Sequence, residues 1–266
     1  MPLWSHGAGD ARPGQRCLPE EVAVALSYNG STQAVMMATP ADLGDFAYGF
    51  SLTEGIARPE EIDSVTVVAA PRGIDVQIWL RGDAGARLQA RRRTMAGPVG
   101  CGLCGIDSLE EATRDAVPLA PSGFRMTPAQ VKAAVAGLTA HQPLHDATRA
   151  AHAAAFWTPE AGFVAVREDV GRHNALDKLA GALIRGGLGQ DGAVLVTSRV
   201  SIDLVQKCAA IGASVLIAVS APTVAAVDMA GAAGITLIAL ARPERFDVFT
   251  HPERVAGATM ETRHVA

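Results

Sequence analysis

No apolar run in this chain reaches the roughly 20 residues that a membrane-spanning helix needs, so nothing in it reads as a transmembrane segment. Charge of one sign is also lacking. A formal net charge of −4 over 266 residues offers no molecule-wide field for DNA or RNA, so any anion site must be a local cluster of arginine and backbone N–H groups. Cysteine is scarce, four residues of which two are isolated, and that is too few for a disulfide scaffold. The Gly/Pro-rich stretch 1–15 lacks the apolar centre of a signal peptide and reads as a disordered arm on a cytoplasmic protein. There is no internal repeat and no low-complexity tract. What remains is 49% hydrophobic with 27 Gly and 15 Pro, enough for ample core in two modest domains.

The first domain, about residues 16–120, reads as α+β. Residues 20–28 alternate as a strand, Asn29-Gly30 is a hairpin turn, and 33–38 returns. Thr39-Pro40-Ala41-Asp42 then predicts a helix start with a Thr cap and Pro in the first turn. That helix carries Leu43, Phe46, Ala47 and Phe50 on one side and ends near Gly55. Strands at 64–70 and 74–80 lead to a basic stretch, Arg87 to Arg93, and to the loop Gly97–Gly105. Ser108-Leu109-Glu110-Glu111 reads as a capping box behind it.

Beyond a linker at Pro118–Ser122 the pattern changes. Thr127-Pro128-Ala129-Gln130 starts a helix with both cap and N1 proline, and strands at 150–156 and 163–167 form a hairpin. Helices at about 170–185, 200–211 and 223–231 then alternate with AVLVT (193–197), SVLIAV (214–219) and ITLIAL (235–240). Continuous apolar runs with helices between them are how strands of a parallel sheet covered on both faces read. The second domain, 121–255, is therefore a three-layer α/β unit, and 256–266 is a tail.

Cys101 and Cys104 are the chemistry-bearing pair. They sit among Gly97, Gly100, Gly102 and Gly105, with Arg91–Arg93 upstream and a helix start downstream. The thiolate is the nucleophile, and both arginine and a helix N-terminus favour it, while the glycines allow close approach to a partner. A zinc site would need two more ligands, yet no second CxxC or paired His follows. A thioredoxin-like pair would want a strand directly before the motif. Cys208 falls on the apolar side of its helix and reads as core; Cys17 has no evident role. His152 reads as a core residue of its strand, and His173, four residues from Asp169 and Asp177, as a helical ion-pair partner. The downstream Pro-Cys-x-x-Cys of zinc deaminases is absent, and His152-Ala153-Ala154 lacks their glutamate, which argues against deaminase chemistry.

An anion site follows from position, because open α/β sheets bind ligands beyond the carboxyl ends of their strands. Those ends are Thr197-Ser198-Arg199, Ser220-Ala221-Pro222-Thr223 and Arg242-Pro243-Glu244-Arg245, with Arg167–Asn174 as a fourth. Each supplies hydroxyls, helix-start N–H groups or guanidinium.

Taken together, these residues resemble the FdhD family of sulfur carriers required for formate dehydrogenase activity. The likeness runs from about Val22 to Val255. It rests on Cys-Gly-Leu-Cys-Gly at 101–105, REDVGRHNALDKL at 167–179, TSRVSIDLVQK at 197–207, SAPTVAAVDMA at 220–230 and RFDVFTHPER at 245–254. The resemblance implies a sulfurtransferase with a persulfide on Cys101, assisted by Cys104. Sulfur would come from a cysteine desulfurase and pass to the molybdenum bis(molybdopterin guanine dinucleotide) cofactor, an acceptor and not a prosthetic group, before its insertion into formate dehydrogenase. It places cofactor binding on Leu240, Ala241, Arg242, Pro243, Glu244 and Arg245, beside Arg199 and Ser220 from the strand-end argument, and it implies a cytidine deaminase-like second domain. A bis-nucleotide has two similar halves, which a two-fold homodimer would match. No resident metal is expected. The rival reading is a non-enzymatic zinc- or nucleotide-binding module. Two positions depart from the family pattern: Thr148-Arg149-Ala150 stands where Thr-Gly-Gly is usual, and Pro243 where glycine follows the arginine.

Overall fold

The computed structural model describes residues 1–5, 12–88, 116–188 and 191–257. The expected free arm is, where described, a two-stranded antiparallel ribbon: β1 (Pro2–Ser5) pairs with β2 (Arg12–Gln15). Backbone pairing needs no apolar pattern, which is why composition gave no sign of it.

A four-stranded sheet follows in the order β4-β3-β6-β5. Its strands are β3 (Val22–Tyr28), β4 (Ser31–Ala38), β5 (Ile62–Ala70) and β6 (Gly73–Leu80). Asn29 and Gly30 both have positive φ, as a two-residue hairpin turn between β3 and β4 demands. Helix α1 (Leu43–Thr53) lays Leu43, Phe46, Ala47 and Phe50 against Val24, Leu26, Val76 and Ile78.

The second sheet has six strands in the order β12-β11-β10-β9-β7-β8. Strands β7 (His152–Thr158) and β8 (Gly162–Asp169) form the expected hairpin, and β9 (Ala193–Val196), β10 (Val215–Ala218) and β11 (Thr236–Ala239) run parallel. A short β12 (Asp247–Val248), too brief to carry a pattern, closes the edge antiparallel to β11. One face is covered by α2 (Pro128–Leu138), whose Thr127–Gln130 capping box forms as expected. The other is covered by α4 (Arg172–Gly186), α5 (Ile202–Ile211) and α6 (Val224–Ala233). A short helix α3 (Pro143–Thr148) precedes β7. The chain is thus a mixed α/β protein, and no helix among the described residues is long and apolar enough to cross a membrane.

The two units meet along α1 and α4. A β-carbon on Gly49 would run into the Asp177 carbonyl oxygen, and one on Gly181 into that of Asp45, so each helix presses a glycine onto the other's backbone. Buried polar groups flank the contact. Lys178 donates to Asp169 Oδ2 (2.6 Å) and to the Thr39 carbonyl (2.9 Å), with both charged side chains fully buried. The other Asp169 oxygen accepts from Gly171 N–H and Asn174 Nδ2, and Asn174 also donates to the Met37 carbonyl. Lys207 spans Thr53, Glu54 and Asp177. Burial alone would lower its pKa, but the charges of Asp177 and Glu54 outweigh that and hold it above the ordinary lysine value. Asp45 receives both Arg167 and Arg185.

This seam corrects one expectation. Thr39 does not cap α1; Asp42 occupies the cap without a side-chain bond. The Thr39 backbone N–H and hydroxyl are taken instead by Asp169 and the Val170 N–H.

The glycine contact makes the fold testable. Gly49→Ala and Gly181→Ala should each destabilise the protein by about 3 kcal/mol, the upper range for overpacking. Gly123→Ala, with open space around it, should be nearly neutral. Urea unfolding of the three variants checks this, and equal midpoints would show that the helices do not depend on the close approach.

Candidate functional site

Because β9, β10 and β11 are parallel neighbours, their carboxyl ends open on one edge, and their loops are tied to one another by backbone bonds. Val200 N–H donates to the Ala221 carbonyl and Thr223 N–H to that of Val200. Leu240 N–H donates to the Ser220 carbonyl at 3.1 Å and Ala241 N–H to that of Ala218 at 3.1 Å. The edge therefore brings Ser220 directly against Leu240–Arg242, with Arg199 exposed on the next loop. Leu240 sits in the left-handed region (φ 52°), and Ala241 is buried beneath it. Arg242 and Arg245 exchange backbone bonds in both directions, closing a tight turn with Pro243 at its second position, where proline's fixed φ suits the chain. The Arg242 guanidinium donates to the Val219 and Ala241 carbonyls through one nitrogen. Pro243, Glu244 and Arg245 are exposed. Among the described residues neither Arg242 nor Arg245 forms an ion pair, so guanidinium N–H groups remain for an anion.

Several hydroxyls expected at this edge are already engaged. Thr223 caps α6 by accepting from Ala226 N–H. Thr197 accepts from Ala153 N–H, and Ser198 donates to the Arg199 carbonyl. The fourth strand end is mostly structural as well: Arg167, Asp169 and Asn174 belong to the seam, and Glu168 accepts from Leu144 and His145 N–H at the start of α3. His173 pairs with Asp203 of α5, not with the expected Asp169 or Asp177. Helical spacing proposed partners on its own helix, but its ring turns to the adjacent one. His152 is half-buried at the mouth of β7, and not a core residue.

Cys101 and Cys104 lie outside the described residues. Cys208 is fully buried, and burial pushes its thiol up to about 12, which makes it inert; Cys17 is exposed. Among the described residues no group of His, Cys, Asp and Glu is arranged to hold a metal ion.

Comparison with known proteins decides the family. A family model described as FdhD/NarQ matches residues 19–256. The chain belongs to the FdhD/NarQ family. A relative from Agrobacterium fabrum (strain C58 / ATCC 33970), named "Sulfur carrier protein FdhD", is 54% identical over 249 residues, covering 93% of this chain and 92% of its own length. One of the same name from Brucella abortus biovar 1 (strain 9-941) is 53% identical over 253 residues, 94% of each chain. Among solved structures, a formate dehydrogenase accessory protein from Desulfotalea psychrophila matches with a TM-score of 0.75 at 25% identity, over 96% of this chain and 97% of its own.

Within this FdhD/NarQ chain, the departure at Arg149 acquires a physical meaning. Arg149 ends α3 in the left-handed conformation, φ 58° and ψ 23°, the geometry glycine adopts freely and other residues at a cost of about 1–2 kcal/mol. Its ion pair with Asp146 is exposed and offsets little. Arg149→Gly should therefore stabilise the protein by about 0.5–1 kcal/mol once the larger unfolded-state entropy of glycine is counted. Thermal unfolding should show a rise of roughly 1–4 °C; a fall would mean that the arginine side chain holds the loop.

Proposed function

We propose that this family member carries sulfur for the maturation of formate dehydrogenase, with Cys101 as the carrier. The observation that carries the reading is the Cys-Gly-Leu-Cys-Gly motif at 101–105 in a chain 54% identical, over nearly its whole length, to a named sulfur carrier. The Cys101 thiolate attacks the terminal sulfur of a cysteine desulfurase persulfide. A new S–S bond forms on Cys101, the donor's S–S bond breaks, and the donor leaves as its thiolate, so no external oxidant is required. Cys104 of the same motif assists. The acceptor is the molybdenum bis(molybdopterin guanine dinucleotide) cofactor, bound as substrate by its nucleotide phosphates on the strand-end edge. Leu240–Arg245, Ser220 and Arg199 form that platform, supported by the guanidinium groups without ion pairs and the hydrogen-bonded turn described above. Transfer precedes insertion of the cofactor into formate dehydrogenase.

Incubation with a cysteine desulfurase and cysteine should add sulfur to Cys101, read by intact mass and peptide mapping. The adduct should disappear in Cys101→Ala and on reduction. An adduct that maps to Cys17, or bound zinc at one per chain with no adduct, sinks the assignment.

Docking is tested separately with GDP, half of the cofactor's nucleotide portion. A charge-assisted contact is worth about 1.5–3 kcal/mol, so Arg245→Ala should weaken GDP binding about ten- to a hundred-fold. Arg242→Ala should do at least as much, because it also removes the two bonds that hold the loop. GDP binding lost in Arg199→Ala but retained in both of these variants would move the site one strand along.

A further inference from the structure

The four-stranded sheet of the first unit packs one of its faces against α1. Val24, Leu26, Val76 and Ile78 point that way and belong to the core beneath the helix. Residues opposite one another across a sheet share a face, so Val35, Ala25, Asp75 and Val68 form one row on the other side. Met37 and Ala23 pair in the next row, and Trp79 stands opposite Ser64 further along β6. None of these residues belongs to a hydrophobic core cluster among the described residues. Val35, Met37, Val68 and Trp79 are 46%, 50%, 38% and 46% exposed.

A solvated sheet face is ordinarily polar. Here β3, β4, β5 and β6 hold two charged residues between them, Asp63 and Asp75, and Asp63 is paired with Arg81. Scarce charge with methionine and tryptophan exposed is the composition of the centre of a protein interface. Asp75 supplies an independent sign. Gln77 donates to its Oδ2 at 2.9 Å, whereas its Oδ1 is closed off from solvent and accepts no hydrogen bond among the described residues. A buried oxygen without a donor is rare in a folded protein. An incoming cation would supply the missing donor and match the only charge on the face.

We infer that this face docks a partner protein whose apolar surface carries an arginine or lysine for Asp75. A second copy of the chain is the wrong occupant. Set face to face about a two-fold axis, two copies would bring carboxylate against carboxylate in an apolar setting, where like charges repel. On the sulfur-carrier reading above, the partner is the cysteine desulfurase. Cys101 follows this sheet in the sequence, while the cofactor platform lies on the other unit, so a donor seated here leaves the acceptor's surface free. The identity of the partner rests on that reading.

Purified cysteine desulfurase is titrated into the full chain, with binding followed by calorimetry and by tryptophan emission. Emission should move to the blue as the desulfurase covers Trp79, and the shift should be absent in Trp79→Phe. Val35→Lys and Met37→Lys, both at exposed positions, should each weaken desulfurase binding about tenfold or more at an unchanged urea midpoint. Asp75→Asn keeps the shape, removes the charge and should weaken binding about tenfold. Loading of Cys101 by the desulfurase should fall in step, while loading by inorganic polysulfide, which needs no docking face, stays at the parental level. Parental desulfurase affinity in Val35→Lys and Met37→Lys would overturn the docking face, as would a parent chain that does not bind the desulfurase. A parental dimer in sedimentation that these lysines split, at unchanged desulfurase affinity, would give the face to a second copy and overturn it too. Failure of the sulfur reading looks different: Cys101 would take sulfur from neither source, with the desulfurase still held through Val35 and Met37.

Discussion

Two glycines that let helices α1 and α4 touch backbone to backbone set the arrangement of everything else. With Gly49 against the Asp177 carbonyl and Gly181 against that of Asp45, the helices lie too close for side chains to intervene along the line of contact. The side chains beside that line therefore reach across it. Thr39 and the Met37 carbonyl are brought to Asp169, Lys178 and Asn174, and Thr53 and Glu54 to Asp177 and Lys207. Such buried charges stabilise little relative to apolar groups of the same shape, but removing one partner strands the other at a cost of several kcal/mol. The seam therefore specifies one docking of the two units more than it adds to stability.

That division of labour changes how the run at 167–179 is understood. Its density of charged residues invites a ligand-binding role, yet Arg167, Asp169, Asn174, Asp177 and Lys178 are all committed to the seam. Of its other charged residues, Glu168 binds the start of α3 and His173 the Asp203 carboxylate, which leaves Arg172 with no ion pair among the described residues. A motif can thus be highly specific to a family because it joins two units, with a small part of it left for chemistry.

The second unit was legible because its order depends on local rules. The apolar runs at 193–197, 214–219 and 235–240 hold strands β9, β10 and β11, and the Thr127–Gln130 box starts α2 as its residue types require. What escaped depends on contacts made far along the chain. Thr39 has the residue type of a helix cap and loses that role because Asp169, 130 positions away, competes for its N–H. The Gly49–Gly181 approach leaves no periodic trace, since a glycine in a helix looks like a weak helix residue until its neighbour is known. At the candidate site, position was legible from topology alone: parallel strands must end together, so Ser220 and Leu240–Arg242 had to meet. Which hydroxyls were free was not, because Thr197, Ser198 and Thr223 find partners only once the loops are folded.

The sheet edge also shows how an acidic chain presents a basic surface. The net charge is −4, and carboxylates stand near several of the strand ends. Asp169 is consumed by Lys178 and Asn174, Glu168 by the start of α3, Asp203 by His173, and Asp45 takes Arg167 and Arg185 away to the seam. Once these are paired, Arg172, Arg199, Arg242 and Arg245 are left along the edge, with no carboxylate partner among the described residues. A field built this way is short-ranged, because at physiological salt exposed charges are screened beyond about 8 Å. It cannot steer a nucleic acid from a distance. It acts only on an anion that arrives within contact distance, where guanidinium N–H groups can donate to it directly.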